Sequence, residues 1–128
     1  MRYIIDKLIL IFTLIIGILG GYDIALKSLV IVMIVDYLTG FASAIYNKEL
    51  SSKIGLKGIL KKFSYFCVVA LAVVIDNLTG QTGIIRTLVI YFFVANDGLS
   101  IVENLADMNI KLPKKLIDAL KQLKKENK

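Results

Sequence analysis

Four long apolar stretches, separated by short charged segments, constrain this chain more than any other feature of its sequence. The stretches comprise residues 4–22, 28–46, 63–78 and 87–105. A bilayer core of about 30 Å requires roughly 20 helical residues at about 1.5 Å each, so every stretch is close to the length of a spanning helix. The sequence therefore predicts an all-α integral membrane protein, with three to four transmembrane helices in residues 1–107 and a basic amphipathic helix in the tail, residues 108–128.

The composition agrees with a lipid environment. Hydrophobic residues make up 57% of the chain, and its mean hydropathy is +0.75. Soluble domains are about 45–50% apolar, and a soluble domain of this length buries only about two thirds of its surface. A soluble all-α protein is the alternative, but residues 8–22 and 63–78 lack the polar face of a soluble helix. A cleaved signal peptide in residues 1–22 is disfavoured because Gly20, Gly21 and Tyr22 match a cleavage site poorly.

Several kinds of chemistry are excluded by residues that the chain lacks. It has no His and a single Cys, Cys67, which lies in an apolar stretch. An internal disulfide, a thiolate or imidazole zinc site, and a Cys–His or Ser–His–Asp catalytic group therefore lack their components. No GxxxxGK[ST] phosphate loop is present either. Cys67 is best explained as a packing residue, and we expect neither an enzyme nor a cofactor or metal.

Lysines concentrate in the segment between the second and third stretches, residues 47–62, and in the tail. The other two connections carry one basic residue each, Lys27 and Arg86, whereas the net charge of the whole chain is +6. The basic residues that we expect at the membrane surface are Lys53, Lys57, Lys61, Lys62, Lys114, Lys115, Lys121, Lys124 and Lys125. Further lysines of the same two segments are Lys48, Lys111 and Lys128.

The positive-inside rule orients the chain in a bacterial cytoplasmic membrane. It places the basic loop 47–62 and the C-terminus in the cytoplasm. Arg2 and Lys7 place the N-terminus there too, which gives four crossings. If the first stretch lies on the membrane surface instead, the chain crosses three times and its N-terminus is outside. Loop and tail share one side in both versions.

The tail has the pattern of an amphipathic helix. Pro113 suits the first turn of a helix, and Lys side chains fill the polar face. The apolar residues that recur at helical spacing are Leu112, Leu116, Ile117, Leu120 and Leu123. This helix either lies on anionic lipid or presents a solvated face that enforces topology. Nucleic-acid binding is disfavoured, because a membrane protein already has a use for basic segments.

Polar groups within the apolar stretches are the candidate assembly or pore residues. Asp36 lies near the middle of the second stretch, and Gly40, Ser43 and Ala44 follow on the same helical face. Small residues allow close approach of a second helix, and a carboxylate at membrane depth requires a polar neighbour or water. The fourth stretch carries a polar stripe at helical spacing that comprises Asn96, Asp97, Ser100, Glu103, Asn104 and Asp107. The stripe either lines water in an assembly, is satisfied by a partner helix, or, beyond Ser100, belongs to a helix that already emerges into the cytoplasm.

Asp76 is a weaker candidate of the same kind. It belongs to a short internal echo, with VDYLTG at residues 35–40 and IDNLTG at residues 75–80. The sequences that flank the two copies barely match, so they do not indicate a duplicated repeat. Asp76 lies near the outer end of the third stretch, where it either joins the assembly residues or marks the end of a helix.

Two long blocks of the sequence resemble a known family. Residues 36–62 read DYLTGFASAIYNKELSSKIGLKGILKK, and residues 92–120 read FFVANDGLSIVENLADMNIKLPKKLIDAL. Both blocks, in this order and separation, resemble the phage holins of the toxin-secretion/phage-lysis type. These include holins of Gram-positive phages and related proteins of clostridial toxin loci. The chain departs mildly from the family pattern, which favours Glu at Asp97 and Gly at Asn109.

The resemblance implies a homo-oligomer that forms lesions in the host cytoplasmic membrane. An endolysin or a toxin would be released as cargo through the lesions rather than bound, and an antiholin is a candidate partner. We expect Asp36 and the stripe with Asp97 and Glu103 to control assembly. The alternatives are a small ion channel or transporter subunit, and an antiholin-like membrane adaptor.

Overall fold

The computed structural model describes residues 1–49 and 51–126, and within these ranges it contains five α-helices and no strand. The helices are α1 (Arg2–Ile18), α2 (Ile24–Tyr46), α3 (Ser52–Thr79), α4 (Ile84–Ala106) and α5 (Lys114–Glu126). Three helical segments of the described chain are long and apolar enough to cross a membrane: Ile24–Tyr46, Gly55–Thr79 and Ile84–Ala106. The predicted fold class is confirmed. The predicted tail residue Lys128 lies outside the described ranges.

The first helix is shorter than the apolar stretch that predicted it. It ends at Ile18 because Gly20 and Gly21 follow with φ angles of +90° and +98°, which L side chains rarely adopt. No side chain of α1 is buried, so the helix exposes apolar groups on every side. Its relation to the bilayer, and with it the choice between three and four crossings, stays a prediction.

The second and third helices are longer than predicted. α2 begins at Ile24 because the Asp23 carboxylate accepts a hydrogen bond from Leu26 N at 3.0 Å, which caps the helix. α3 begins at Ser52 rather than near residue 63, so residues 52–62 of the predicted loop, with four of its lysines, are helical. Lysine is a good helix former and has an apolar stem, which explains why the helix continues through these residues.

Helix α4 packs against α2, α3 and α5. Because α2, α3 and α4 alternate in direction, two ends of the bundle can be defined. The Arg86 end contains the connections between α1 and α2 and between α3 and α4. The lysine end contains the loop after α2, the start of α3 and the start of α5. A core of buried hydrophobic side chains extends from the Arg86 end to the middle of the bundle and comprises Leu19, Leu26, Leu29, Met33, Tyr65, Val69 and Ile90.

The outer surface of the bundle is strongly apolar. Ile31, Ile34, Phe63 and Leu71 each expose about half or more of their side chains, although each lies within a candidate membrane span. Apolar area in water costs about 25 cal/mol per Å², so a water-exposed surface of this kind would be unfavourable. These side chains are suited to contact with lipid.

Candidate functional site: a polar network inside the helix bundle

Lys62 of α3 joins acidic residues of two other helices. Its Nζ atom lies 2.8 Å from Asp36 Oδ2 on α2 and 3.1 Å from Asp97 Oδ2 on α4. The side chains are nearly enclosed, with 14% of Lys62, 12% of Asp36 and 1% of Asp97 exposed. Removal of charges from water is costly, and here the ammonium group compensates the carboxylates by direct contact.

Tyr65 and Asn96 extend this contact toward α5. The Tyr65 hydroxyl donates to Asp97 Oδ1 at 2.9 Å and accepts from Asn96 Nδ2 at 2.9 Å. Lys124 of α5 in turn donates to Asn96 Oδ1 at 3.3 Å. The Tyr65 ring is fixed by parallel stacking on Phe93, with ring centroids 4.0 Å apart. A chain of hydrogen bonds therefore runs from α5 through α4 and α3.

Asn104 extends the same network on the lysine side. Its Nδ2 atom lies 3.1 Å from Asp36 Oδ1 and 3.0 Å from Thr39 Oγ1. Thr39 also donates to the carbonyl oxygen of Val35 at 2.8 Å, within its own helix. We call the connected residues the polar network; its members are Asp36, Thr39, Lys62, Tyr65, Asn96, Asp97, Asn104 and Lys124.

The polar network is formally neutral. It holds two carboxylates, Asp36 and Asp97, and two ammonium groups, Lys62 and Lys124. Among the described residues, each buried side-chain nitrogen or oxygen atom has a hydrogen-bond partner. Complete pairing allows such groups to remain inside an apolar bundle, whereas loss of any member leaves another without compensation.

The two aspartates of the polar network lie near the middle of their predicted membrane spans, Asp36 in α2 and Asp97 in α4. Asp36 is ten positions before Tyr46, the last residue of α2, which corresponds to about 15 Å along the helix. A cleft between α2, α3 and α4 leads from the network toward the lysine end. The residues that line the cleft include Asp36, Tyr37, Gly40, Ser43, Ala44, Gly55, Gly58, Lys61, Lys62, Ser100 and Asn104.

Most of the predicted assembly residues come together in the polar network and the cleft. Asp36, Asn96, Asp97 and Asn104 belong to the network. Those that line the cleft without belonging to the network are Gly40, Ser43, Ala44 and Ser100.

The small-residue strip of α2 has neighbours within the same chain. An ideal Cβ at Gly40 would lie 3.5 Å from Asn104 Nδ2, so Gly40 borders the network. Ser43 is buried, and its hydroxyl oxygen accepts from Asn47 Nδ2 at 3.4 Å. The strip therefore forms part of the wall of the cleft. Glu103 is exposed and lies outside the network, although sequence spacing placed it in the same stripe.

Two lysines occupy positions that differ from the prediction. Lys62 and Lys124 were expected at the membrane surface, but Lys62 lies between α2 and α4, and Lys124 contacts α4. The acidic partners explain why Lys62 lies inside the bundle, since a buried carboxylate requires a cation nearby. The remaining lysines of the predicted surface set are exposed: Lys53, Lys57, Lys61, Lys114, Lys115, Lys121 and Lys125.

Tyr65 and Thr39 are the network members that sequence analysis missed. Tyr65 follows Lys62 by three positions, and Thr39 follows Asp36 by three, so each lies on the helical face of a charged residue. That spacing was the available signal. It is weak because Tyr and Thr are frequent in apolar helices for packing reasons alone.

A second polar cluster lies at the Arg86 end. Arg86 donates from Nη1 to Asp23 Oδ2 at 2.7 Å, from Nε to the Leu19 carbonyl at 2.6 Å and from Nη2 to the Gly21 carbonyl at 2.9 Å. Gly20 permits this approach, since a Cβ there would lie 2.5 Å from Arg86 Nε. The hydrogen bond from Arg86 lowers the pKa of the Asp23 carboxyl group below its ordinary value of 3.8. The cluster connects the end of α1 to the start of α4.

Asp76 also lies at the Arg86 end and not in the cleft. Its carboxylate accepts from the backbone N–H groups of Ile85 and Arg86, both at 2.9 Å. The N–H groups in the first turn of α4 have no acceptor within their own helix. Asp76 of α3 accepts their hydrogen bonds and so caps α4. The structure therefore brings Asp76 together with Arg86 rather than with Asp36.

The sequence of the chain matches a described family over nearly its whole length. The profile of the bacteriophage holin family matches residues 13–125. The chain belongs to the bacteriophage holin family. The resemblance noted in the two sequence blocks is thereby confirmed, and the polar network lies entirely within the matched residues.

Relatives of this holin-family chain occur in phages and in bacteria. It is 34% identical to a probable holin of Bacillus phage phi105 over 102 residues, which cover 80% of this chain and 76% of the relative. It is 45% identical to a 14.9 kDa protein from the nagH 3′ region of Clostridium perfringens over 112 residues, which cover 87% and 85%. No solved structure matches the chain. These matches support a holin-like role.

Proposed function

We propose that this chain oligomerises in the bacterial cytoplasmic membrane and forms lesions through which an endolysin or a toxin leaves the cell. The observation that carries this proposal is the charge-balanced polar network, whose Asp36 and Asp97 lie halfway along apolar helices. Ionisable groups at this depth are costly, and they are characteristic of functional positions. Membership of the bacteriophage holin family supports the same role.

The proposed mechanism is an exchange of partners within the network. In the single chain, Lys62 compensates Asp36 and Asp97, so the bundle can reside in lipid. When copies associate, the same groups turn toward water between them, and the cleft from the lysine end supplies a path for that water. Polar side chains that are paired in the monomer then line the lesion. No covalent chemistry is required.

The orientation follows the basic residues. Exposed lysines near the lysine end, including Lys53, Lys57, Lys114 and Lys115, favour the cytoplasmic surface with its anionic lipids. The lysine end would then face the cytoplasm. The Arg86 end would face outward, and α2, α3 and α4 would cross the bilayer.

The test is the timing of lysis in cells that make an endolysin together with the chain or a variant. Asp36→Asn and Asp97→Asn each remove one charged acceptor of Lys62 and keep the size of the side chain. We expect both variants to assemble sooner and to cause earlier lysis than the parent at equal membrane levels. Glu103→Gln, on the exposed part of α4, is the matched control and should keep the parent timing.

Parent timing for both aspartate variants would contradict the assignment of the network to assembly. Release of folded proteins from cells that make the chain would support lesions. Release of ions alone would indicate a small channel, and unchanged viability and membrane potential would indicate an adaptor of the antiholin kind. Each of the last two results would overturn the proposed function.

A further inference from the structure

We propose that α5 is a detachable cover that balances the charge of the polar network and holds the bundle in its closed state. This inference rests on the proposed function and adds a regulatory element to it. The amphipathic tail helix was expected either on lipid or in solvent. In the structure it runs back along α4 and packs against it.

Gly98 of α4 lies in the contact with α5. This glycine is buried, and an ideal Cβ built on it would lie 2.6 Å from Leu120 Cδ2. Any side chain at this position would therefore collide with Leu120 or move it. Gly98 is eight residues from Ala106, the last residue of α4, so the contact lies about 12 Å from the end of the helix. The tail thus reaches far along the predicted membrane span.

Lys124 fixes the far end of α5 to the network. Its Nζ atom lies 3.3 Å from Asn96 Oδ1 and 5.7 Å from the centre of the Phe92 ring. It is the ammonium group that makes the network formally neutral. If α5 leaves, one ammonium group remains with the carboxylates of Asp36 and Asp97, and the polar network retains a net negative charge.

The released helix has a favourable position elsewhere. Lys114, Lys121 and Lys125 are exposed on its polar face, and this face suits an anionic lipid surface. The docked position instead places Lys124 well inside the span, where an ammonium group requires polar partners. The docked position of α5 is supported by specific contacts and the released position by the attraction of its lysine face to anionic lipid, so α5 can act as a two-state element. In the docked state α5 covers α4; in the released state the uncompensated network draws in water.

A reversible disulfide tests this proposal in the full-length chain. In a Cys67→Ser background, Gly98→Cys and Leu120→Cys are introduced together. The ideal Cβ at Gly98 lies 3.5 Å from Leu120 Cγ, close to where a cysteine Sγ would stand. The protein is reconstituted in vesicles of phosphatidylethanolamine and phosphatidylglycerol that contain fluorescent dextran. Dextran release is measured after oxidation and again after reduction.

We expect the oxidised protein to release dextran at least tenfold more slowly than the reduced protein. Reduction should restore the rate of the Cys67→Ser parent, and the Leu120→Cys single variant should not respond to oxidant. Equal release before and after reduction, with the disulfide formed, would overturn the proposal. Failure of the disulfide to form would overturn it too, since α5 would then not be docked at Gly98.

A second measurement separates this proposal from the proposed function. In the Cys67→Ser background, Gly98→Phe should displace α5 from α4 and raise the rate at which a water-soluble maleimide labels Leu120→Cys at least threefold. A parent that releases no dextran contradicts the proposed function, whereas the labelling rates still decide whether α5 is docked on α4. An unchanged labelling rate in Gly98→Phe contradicts docking, whatever the parent releases.

Discussion

The side-chain amide of Asn104 on α4 lies 3.1 Å from a carboxylate oxygen of Asp36 on α2, although 68 positions separate the two residues in the chain. The same amide lies 3.2 Å from the main-chain carbonyl of Asp36. The other carboxylate oxygen of Asp36 accepts from Lys62 of α3. Asp36 therefore connects α2 to both neighbouring helices, and replacement of either partner should weaken the bundle.

Replacement of Asn104 by Leu should destabilise the bundle. The substitution removes the donor to Asp36 and Thr39, and the cost of unpaired buried groups is about 1–3 kcal/mol. Thermal unfolding in detergent micelles, followed by circular dichroism, measures the change. Asn77→Leu, at an exposed position of α3, is the control and should leave the unfolding temperature within error of the parent. Equal stability of both variants would show that the Asn104 amide does not hold α2 to α4.

Replacement of Lys62 by Met should have a larger effect. It leaves Asp36 and Asp97 without their shared cation, and removal of one partner of a buried ion pair costs about 3–5 kcal/mol. Lys57→Met, at an exposed position of the same helix, should cost little. Chemical unfolding in micelles compares the two variants. Because Asp36→Asn and Asp97→Asn together remove the uncompensated carboxylates, they should restore part of the stability of Lys62→Met, and no restoration would argue against a charge effect.

Replacement of Arg86 by Lys should free the connection between α1 and α2. A lysine cannot reproduce the planar set of donors that contacts Leu19, Gly21 and Asp23 at once. Hydrogen exchange should rise in residues 19–23 and stay unchanged around Lys62. Hydrogen bonds to charged groups contribute about 1.5–3 kcal/mol, so local opening should become at least tenfold more frequent. Exchange at the parent rate would show that the core alone holds this connection.

The Arg86–Asp23 contact predicts a dependence of stability on pH. Arg86 lowers the pKa of Asp23 in the folded state, so the carboxylate contributes stability above the unfolded pKa near 3.8. That contribution is lost as the pH falls through the lower folded pKa. Because about half of the Asp23 side chain is exposed, the effect should be small. Unfolding temperatures of the parent and Asp23→Asn should differ at pH 6 and converge toward pH 2; a difference that persists at pH 2 would contradict this origin.

Replacement of Asp76 by Ala should loosen the first turn of α4. The substitution leaves the N–H groups of Ile85 and Arg86 without their acceptor, and loss of a helix cap costs about 0.5–2 kcal/mol. Asp76→Asn keeps one acceptor oxygen and should lose less. Asp107→Ala, at the exposed end of α4, is the control. Hydrogen exchange at Ile85 and Arg86 distinguishes a cap from a general loss of stability.

The apolar stretches of the sequence sufficed to predict the long helices, and they marked Asp36 and Asp97 as candidate functional residues. Both aspartates interrupt apolar stretches. A buried carboxylate is energetically costly, so an aspartate in such a stretch indicates a functional role. The helix bounds were less accurate because the lysine-bearing start of α3 has the composition of a loop between spans. Composition alone does not distinguish a lysine at the membrane surface from one that enters the bundle.

The partners of the two aspartates could not be derived from the sequence. Lys62 directly follows the exposed Lys61, and composition alone does not show which of the two enters the bundle. The choice depends on the rotation of α3 relative to α2 and α4, which packing of the whole bundle determines. The same holds for α5. Its amphipathic pattern predicted an apolar face, but a lipid surface and α4 can both satisfy such a face.

The apolar core near the Arg86 end and the polar network nearer the lysine end divide the bundle into unlike halves. A water molecule that enters from the lysine end meets hydrogen-bond partners as far as Asp36 and Asp97. Beyond them it meets Leu29, Val69 and Ile90, which offer none. Separation of the helices should therefore begin at the lysine end, where water finds hydrogen-bond partners, while the apolar core keeps the other part of the bundle packed.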